Sequence, residues 1–382
     1  MARIGLRGRP LKIDRLTAES LHPAPSRLAE PAVKIREITA ILVSWHDAEE
    51  TEAAVASLAA ARRRMSPGGP STSLVVVENG GAVRPGALQA LWPEAVVITN
   101  AENRGLGPAG NQAAAAASGD VLLFLNPDTR AEGDPFTALA HAFGGSPEVV
   151  AVAPRLIDSG IEPQAEGAKG AKSSVRGALA PPHREDQFTF QLRMLPTLAG
   201  DARELLLIDH LFPNSAARRR LRYADRDREG PIAVEQAAGA ALAIRSRVFA
   251  AIGGFDERYV PAWFEDVDLC ARLSRQGTIL YLPGARFRHR GGASSRRLGY
   301  DRFLPMYYRN ALLYRRVHYP APARLSYRLL LAAGMLMRLA ALPVRRDVPR
   351  SRSEAARGYL AVLKLASTWL TAPGPRLPHP HA

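Results

Sequence analysis

The chain has almost no cysteine and few aromatic residues. Cys270 is the single cysteine among 382 residues, which excludes an intrachain disulfide and a zinc site built from several cysteines. A reducing cytoplasmic interior is therefore the expected compartment, and a small buried apolar residue is the expected role of Cys270. Aromatic residues make up only 7% of the chain, and no nucleic-acid recognition module is present, which disfavours a basic nucleic-acid-binding protein.

Long hydrophobic runs are also missing. The apolar segment 329–337 ends after 9 residues at Arg338, whereas a membrane-spanning helix needs about 20. Residues 1–36 are basic and contain proline, without the apolar centre of a secretory signal. We therefore expect a mobile N-terminal arm there.

Acidic residues are outnumbered, and the formal net charge is +15. Arginine supplies most of this charge, which suits contacts with phosphates or carboxylates. The positive charge is compatible with nucleic acid, anionic lipid or a nucleotide-diphosphate substrate as the partner. Apolar residues make up 47% of the chain, which indicates a folded globular protein.

Short, continuously apolar runs alternate with helical stretches in the first half of the chain. This pattern predicts an α/β fold with a mostly parallel sheet covered by helices on both faces. The predicted strands are 38–45, 73–79, 95–100, 120–126 and 149–154, and the predicted helices between them are 48–64, 82–91, 107–118 and 134–144.

The pattern divides the chain into three parts. The mobile arm, 1–36, precedes a central α/β domain over 37–299, which contains an insertion at 158–231 rich in Gly, Pro, Ala and charge. Residues 300–382 are predicted to be helical and arginine-rich. This last part either lies in an anionic membrane interface or packs on the catalytic domain with its arginines facing water.

Polar side chains follow the predicted strands at their carboxyl ends, where open parallel sheets bind ligands. They are Ser44, His46 and Asp47 after the first strand, Glu78 and Asn79 after the second, Asn100 and Asn103 after the third, and Asn126 and Asp128 after the fourth.

A glycine-rich loop, Gly105-x-Gly107-x-x-Gly110, follows the third strand. Its spacing matches the fingerprint of dinucleotide-binding enzymes, which makes an NAD(P)-dependent oxidoreductase an alternative function. That fingerprint normally follows the first strand, however, and here two complete strand-helix units precede it. The loop also carries Asn103, Arg104 and Asn111, which could hold a ribose or a diphosphate at the start of the next helix.

Acidic residues cluster again far downstream. Glu265, Asp266 and Asp268 fall in the first turn of a predicted helix, after Trp263 and Phe264, which we expect to be exposed. A carboxylate held at a helix start can accept a proton, so the first two acids are candidate catalytic residues.

The third acid of this cluster, Asp268, is expected to complement the helix dipole and to pair with Arg272 on the helix surface.

Further along the chain, His289 ends a strand before two glycines and could share a divalent cation with Asp128.

Taken in order, these motifs resemble the inverting family 2 glycosyltransferases, and within them the bacterial rhamnosyltransferase-like group. The resemblance covers about 38–318 outside the insertion. Its motifs are VSWHD, VVVENGG, NRGLGPAGNQ, LFLNPDT, GAALAIR, GGFDERY, FEDVDLCARL, RHRGGAS and YYRNALLYRR.

The resemblance implies a GT-A nucleotide-diphospho-sugar transferase fold and assigns roles to the candidate residues. Asp266 looks like the base, with Glu265 beside it, while Asp128 and His289 look like ligands of Mg²⁺ or Mn²⁺. Trp263 would lie on the acceptor side. The donor would contact Ser44, His46, Glu78, Asn79, Asn103, Arg104, Gly105, Asn111 and Asn126.

Two positions depart from the family pattern. Glu78 stands where Asp is more common, and Asn126 stands at the first position of the Asp-x-Asp motif, so loose metal binding is expected.

The resemblance implies transfer of a hexose or deoxyhexose in cell-envelope polysaccharide synthesis. The favoured sugar is L-rhamnose, with dTDP-rhamnose as its donor. The acceptor would be a saccharide or a polyprenyl-diphosphate-linked saccharide. The cytoplasmic protein would make peripheral contact with an anionic membrane, and no nucleic-acid partner is expected.

Overall fold

The computed structural model describes residues 34–81, 83–158, 188–291, 299–344 and 351–368. The predicted arm over 1–36 falls almost wholly outside these residues, as does 159–187 of the predicted insertion. The remainder of that segment forms four short helices, α5 (Phe188–Gln191), α6 (Leu198–Leu205), α7 (Ile208–Leu211) and α8 (Ala216–Leu221).

The first half of the chain builds strand-helix units as its apolar pattern predicts. The strands are β1 (Glu37–Ser44), β2 (Ser71–Asn79), β3 (Val96–Asn100), β4 (Val121–Leu125), β5 (Thr129–Glu132) and β6 (Val149–Asp158). The helices are α1 (Ala48–Arg63), α2 (Pro85–Leu91), α3 (Leu106–Ala115) and α4 (Pro135–Gly145). The short strand β5 is the one element of this half that the periodicity does not reveal.

Strand β7 (Leu192–Arg193), within the insertion, pairs with β9 (Gln236–Ala237) in a separate two-stranded sheet. After the insertion the chain returns to the main sheet through β8 (Ile232–Val234), β10 (Ala241–Arg245) and β11 (Thr278–His289). Helices α9 (Ser246–Ala251) and α10 (Glu265–Leu273) lie between β10 and β11, and α11 (Tyr300–His318), α12 (Ala321–Ala341) and α13 (Arg352–Thr368) follow.

The main sheet has the order β3-β2-β1-β4-β10-β6-β11-β5, with β8 paired to β11. Strands β1 to β4 are parallel to their neighbours in this group, and β6 is parallel to β11. Strand β10 runs antiparallel between β4 and β6, and β5 runs antiparallel to β11. The predicted α/β fold, with a mostly parallel sheet and a helical C-terminal part, is therefore confirmed.

Two apolar layers cover the sheet because its strands are buried on both faces. Helices α1, α2 and α4 pack on one face through Val55, Leu88 and Phe136. Helices α3, α9 and α10 pack on the other, and Cys270 lies there, fully buried. Burial raises the pKa of Cys270 to about 12, which fits the expected role as an apolar residue.

A third core joins the C-terminal helices to the rest of the chain. Helices α11, α12 and α13 pack against Leu205 of α6 and against Tyr259 and Phe264 of the segment before α10. One buried ion pair, Arg315 with Asp201, bridges this core. Burial raises the pKa of Asp201 despite the neighbouring guanidinium, so desolvation offsets much of the attraction.

We expect Asp201→Ala to destabilise the protein by about 3–5 kcal/mol, because it leaves the guanidinium of Arg315 buried without its carboxylate. Urea unfolding measures this change. The matched control is Glu94→Ala, which removes an exposed partner of Arg62 and should leave the unfolding curve nearly unchanged. Equal curves for the two variants would contradict this account of the third core.

Candidate functional site

Asn79 organises the loop that follows the third strand. Its Nδ2 donates to Asn103 Oδ1 at 2.8 Å and to the Gly105 carbonyl at 3.3 Å. Its Oδ1 accepts from the Arg104 amide at 3.0 Å and from Asn100 Nδ2 at 3.1 Å. This side chain therefore shapes the loop, and the exposed side chains of Asn103 and Arg104 are left at its surface.

The glycines of the loop serve close packing. Gly105 adopts φ 93°, a conformation that glycine adopts readily. A Cβ at Gly110 would lie 2.9 Å from the Phe255 ring, and a Cβ at Gly107 would lie 3.3 Å from Phe255 Cβ. The GxGxxG spacing thus lets α3 approach the 253–261 segment, which disfavours the oxidoreductase alternative.

The start of α3 is a poorer phosphate site than the sequence predicts. The Leu106 amide donates to the Pro261 carbonyl at 2.9 Å, and Pro108 has no amide hydrogen. Asn111 is also engaged, because its Nδ2 donates to the Phe255 carbonyl at 2.9 Å and to Glu257 Oε1 at 3.0 Å. Asn111 and the helix start therefore hold the 253–261 segment in place.

The first two strand ends form a small niche. Ser44 is buried, and its hydroxyl accepts from Thr51 at 2.7 Å. His46 is exposed, with its ring centroid 5.1 Å from that of Trp45. Trp45 also lies against Gly80, where an added Cβ would be 3.2 Å from its ring.

Glu78 is fully buried beside this niche. Its Oε2 accepts from the Gly81 amide, while its Oε1 has no hydrogen-bond partner among the described residues. A buried carboxylate oxygen without a donor is costly, so Oε1 is an acceptor that a ligand could satisfy.

Asp128 and His289 are brought together by strand register. Strand β5 pairs with β11 so that His289 lies opposite Thr129, the residue after Asp128. His289 Nε2 lies 3.3 Å from Asp128 Oδ1, and the Gly291 amide donates to Asp128 Oδ2 at 3.1 Å. Burial acts to raise the pKa of Asp128, but His289 and these hydrogen bonds outweigh it, so the pKa is lowered.

A network of charges supports this pair. Arg130 and Arg290 both bind the carboxylate of Glu50. Arg130 Nη1 also donates to the carbonyls of Pro127 at 2.9 Å and Thr129 at 2.8 Å. The turn that carries Asp128 is therefore fixed from both sides.

Asp266 lies at the first turn of α10. Its Oδ2 accepts from the Gly239 amide at 3.0 Å, and its Oδ1 accepts from the Val267 amide at 2.8 Å. Burial raises the pKa of Asp266 above its ordinary value, against these hydrogen bonds. A carboxylate with a raised pKa is better matched to proton transfer near neutral pH.

Glu265 is the more deeply buried of the two acids. It is 5% exposed, and its Oε2 has no hydrogen-bond partner among the described residues. Burial, and then the charge of Asp266, raise the pKa of Glu265 well above its ordinary value. Two adjacent carboxylates resist double ionisation, and the larger rise in pKa falls on Glu265.

The backbone before these acids is strained. Trp263 and Phe264 adopt φ values of 74° and 71°, which cost an order of 1–3 kcal/mol each and cluster at functional sites. Asn310 Nδ2 holds this turn by donating to the carbonyls of Ala262 at 2.9 Å and Trp263 at 3.0 Å.

The expectation that both aromatics are exposed is wrong. Phe264 is buried among the C-terminal helices, and Trp263 is partly buried with its ring edge-on to Phe303 at 4.9 Å. The third core covers them because α11 packs directly against this turn.

Asp268 has the structural role that the sequence predicts, but in a different place. It binds Arg272 Nε at 2.8 Å, and His318 Nε2 lies 2.7 Å from its Oδ1. The pairing with Arg272 is confirmed, while the surface location is wrong, because Asp268 is 1% exposed beneath α11.

One cleft brings together the start of α3, the residue after β4 and the first turn of α10. It is lined by Leu106 and Gly110 of α3, by Asn126 after β4, and by Glu265 and Asp266 of α10. The Asn126 amide donates to the Ala240 carbonyl at 3.0 Å, next to the Gly239 that binds Asp266. Asp128 lies two residues after Asn126, so both acidic groups are carried at the same end of the sheet.

Two residues contribute to the site although their motifs reveal no role for them. Gly239, the first residue of GAALAIR, brings its amide to Asp266, and a Cβ there would lie 3.3 Å from Asp266 Cβ. Asn310, within YYRNALLYRR, is fully buried, and its contact with the turn at Trp263, 47 residues earlier, is not visible in the motif.

Comparison with known proteins gives one family match. Residues 41–220 match the family described as Glycosyl transferase family 2, and no curated protein matched the chain. The matched part contains the parallel strands β1 to β4 and the Asn126–Asp128 turn. The rhamnosyltransferase-like group is a finer assignment that this match does not reach.

Solved structures with a similar overall arrangement are distant in sequence. The mannosyltransferase PcManGT from Pyrobaculum calidifontis, in complex with GDP-Man and Mn²⁺, is 13% identical, with a TM-score of 0.48 over 91% of this chain and 92% of its own. GalNAc-T7 with UDP, GalNAc and Mn²⁺ is 14% identical, with a TM-score of 0.46 over 87% and 56%. S. aureus TarS 1-349 is 12% identical, with a TM-score of 0.40 over 87% and 91%.

The raised pKa of Glu265 predicts a stability effect with a definite sign. When the pKa of a carboxyl group is higher in the folded than in the unfolded state, the group contributes stability to the fold at low pH. The protein loses that contribution as pH rises from the unfolded-state pKa of the group, about 4.3, through its folded-state pKa. We expect Glu265→Gln to match the parent near pH 4 and to become increasingly more stable above it, by at most about 1.4 kcal/mol per pH unit. Thermal unfolding from pH 4 to pH 8 measures the difference in stability between the variant and the parent. A difference that does not change with pH would contradict a raised pKa of Glu265.

Proposed function

We propose that the protein transfers a hexose or deoxyhexose from a nucleotide-diphosphate donor to a hydroxyl group of a saccharide acceptor, with inversion at the anomeric carbon. The observation that carries this proposal is the cleft shared by the start of α3, Asn126 and the two acids Glu265 and Asp266. It provides a partly accessible carboxylate base at the carboxyl edge of the sheet, where such folds bind ligands.

Asp266 is the proposed base. It is partly accessible, its carboxylate is oriented by two backbone amides, and its raised pKa suits proton transfer. It takes the proton from the acceptor hydroxyl as that oxygen bonds to the anomeric carbon. The bond between this carbon and the diphosphate breaks at the same time, and the nucleoside diphosphate leaves. Glu265, protonated beside it, keeps the pair from carrying two charges.

Asp128 and His289 fit a divalent cation. Oxygen and nitrogen ligands about 2.1 Å from one metal lie about 3 Å apart in an octahedral arrangement, and the separation here is 3.3 Å. Within the described ranges, no group of three His, Cys, Asp or Glu side chains is arranged to hold a metal. A site with two protein ligands suits Mg²⁺ or Mn²⁺ shared with a diphosphate, whose charge the ion would neutralise.

Glu78 is the proposed reader of the nucleobase. Its buried Oε1 needs a donor, and the Watson-Crick edges of uracil, thymine and guanine present a ring N–H, whereas those of adenine and cytosine do not. The niche of Trp45 and His46 offers ring surfaces beside it. This chemistry allows a uridine, deoxythymidine or guanosine diphosphate. The proposed donor among these is deoxythymidine-diphosphate-rhamnose, and the proposed acceptor is a polyprenyl-diphosphate-linked saccharide in envelope polysaccharide synthesis.

The base assignment is tested by release of nucleoside diphosphate from a panel of nucleotide sugars with saccharide acceptors. We expect Asp266→Asn and Asp128→Ala each to lower turnover by at least about a hundredfold, because one removes the general base and the other a cation ligand. The control is Asp225→Asn, an exposed acid of the insertion, which should retain full turnover. Undiminished transfer by both site variants would remove the mechanism.

The base-reading role of Glu78 is tested by calorimetry without catalysis. We expect Glu78→Gln to weaken binding of deoxythymidine diphosphate about tenfold or more, because a hydrogen bond to a charged group contributes about 1.5–3 kcal/mol. Binding of adenosine diphosphate should be weak in the parent and change little. The role is wrong if the parent binds both nucleotides equally.

A further inference from the structure

Helix α12 packs on the third core through Tyr327, Leu331 and Met335 and exposes only apolar residues on its other side. Every exposed residue between 321 and 344 is apolar. They are Ala321, Pro322, Leu325, Leu329, Ala333, Leu336, Met337, Ala340, Pro343 and Val344. A surface helix of a globular protein normally shows the reverse arrangement.

The exposed leucines form one stripe along the helix. Leu325, Leu329 and Leu336 are spaced by four and seven residues, so they lie on the same side of the helix. Leu329 is 64% exposed and Leu336 is 57% exposed. Exposed apolar surface of this extent marks a binding surface for a protein or a membrane.

The arginines of α12 fix this orientation. Arg328 Nη2 donates to the Ala366 carbonyl of α13 at 2.8 Å. Arg338 Nη2 donates to the Glu204 carbonyl at 3.2 Å, and its Nη1 binds the Leu205 carbonyl at 2.5 Å. These contacts hold the polar side of the helix against α13 and α6, so the outward apolar side follows from the packing.

The segment after α6, which contacts α12 through Leu205, also exposes apolar side chains. The Leu205 carbonyl approaches α12 so closely that a Cβ on Gly334 would lie 2.6 Å from it. Leu211, the last residue of α7, is 68% exposed, and Phe212, which follows it, is 62% exposed. They belong to an apolar pocket lined also by Ile208 and Pro213.

The charge around this face indicates its occupant. No Asp or Glu occurs from 302 to 346, whereas nine arginines do. Arg315 is buried against Asp201. The accessible arginines, among them Arg302 and Arg309, are therefore the ones that an anionic lipid surface attracts, by about 1 kcal/mol for each one near it. Two copies each carrying a formal charge of +15 repel one another. No described helix is long and apolar enough to cross a bilayer.

We propose that α12 lies flat on an anionic membrane, with its leucine stripe and the 211–212 corner inserted among the headgroups. Interfacial helices bury their apolar face about 5–10 Å deep, a depth that the side chains of Leu325, Leu329 and Leu336 reach. Because α11 and α12 pack in the core that covers the turn before Asp266, docking sets the cleft at a fixed distance from the lipid surface. This inference deepens the proposed function by directing the enzyme to lipid-linked acceptors.

The test is sedimentation of the full chain with vesicles of phosphatidylcholine alone or mixed with phosphatidylglycerol, without donor or acceptor. We expect binding to the mixed vesicles that weakens as salt rises. The double variant Leu329→Glu with Leu336→Glu should bind at least about tenfold more weakly, since each change removes an inserted leucine and adds a repelled charge. Both positions are exposed, so the fold should survive, and thermal unfolding checks this.

The matched control is Leu91→Glu with Val96→Glu. It makes the same two changes in charge at exposed positions near the opposite edge of the sheet, and it should bind like the parent. The proposal is overturned if the parent fails to bind mixed vesicles at low salt, if both double variants bind equally, or if binding is as strong without phosphatidylglycerol. A parent dimer that only the α12 variant dissociates would assign the face to a second copy instead.

Release of nucleoside diphosphate with a soluble acceptor separates the two proposals. A variant that has lost vesicle binding but keeps this release supports membrane docking by an intact transferase. Vesicle binding by a chain that releases no nucleoside diphosphate from any nucleotide sugar would leave docking standing and remove the transferase function.

Discussion

The insertion of β10 between β4 and β6 is the constraint on which the candidate site depends. Because β10 runs antiparallel to β4, its first residue, Ala241, pairs with Leu125 at the carboxyl end of that strand. The residues just before β10 therefore arrive at the edge where Asn126 and Asp128 begin. Gly239, two residues before Ala241, then holds the carboxylate of Asp266. A single reversed strand thus joins the two halves of the site.

The register of strand β11 sets the contact between Asp128 and His289. It runs parallel to β6 and antiparallel to β5, and its last residue, His289, pairs with Thr129 and with Asp158. A shift of one residue in this register would turn the imidazole to the other face of the sheet. The Asp128–His289 contact is therefore set by backbone pairing, and the charges of Glu50, Arg130 and Arg290 brace it.

The C-terminal helices complete the site and also orient it. They cover the strained turn at Trp263 and Phe264, and Asn310 on α11 satisfies two carbonyls of that turn. The same packing directs Arg328 and Arg338 of α12 toward α13 and α6 and leaves Leu325, Leu329 and Leu336 exposed. Support of the proposed base and exposure of an apolar face are thus two results of one core. The 188–221 helices take part through Leu205 and Asp201, so part of the insertion is structural.

The sequence by itself determined the alternation of strands and helices, the burial of Cys270 and the pairing of Asp268 with Arg272. These features depend on local periodicity and on residues one helical turn apart, which are visible in a linear chain. Tertiary structure decided that the loop glycines face Phe255, that Asn111 holds the 253–261 segment, and that Phe264 is buried. It also decided that Asp128 meets His289, 161 residues later along the chain. Such contacts depend on strand register and helix packing between distant segments, which spacing along the chain does not encode.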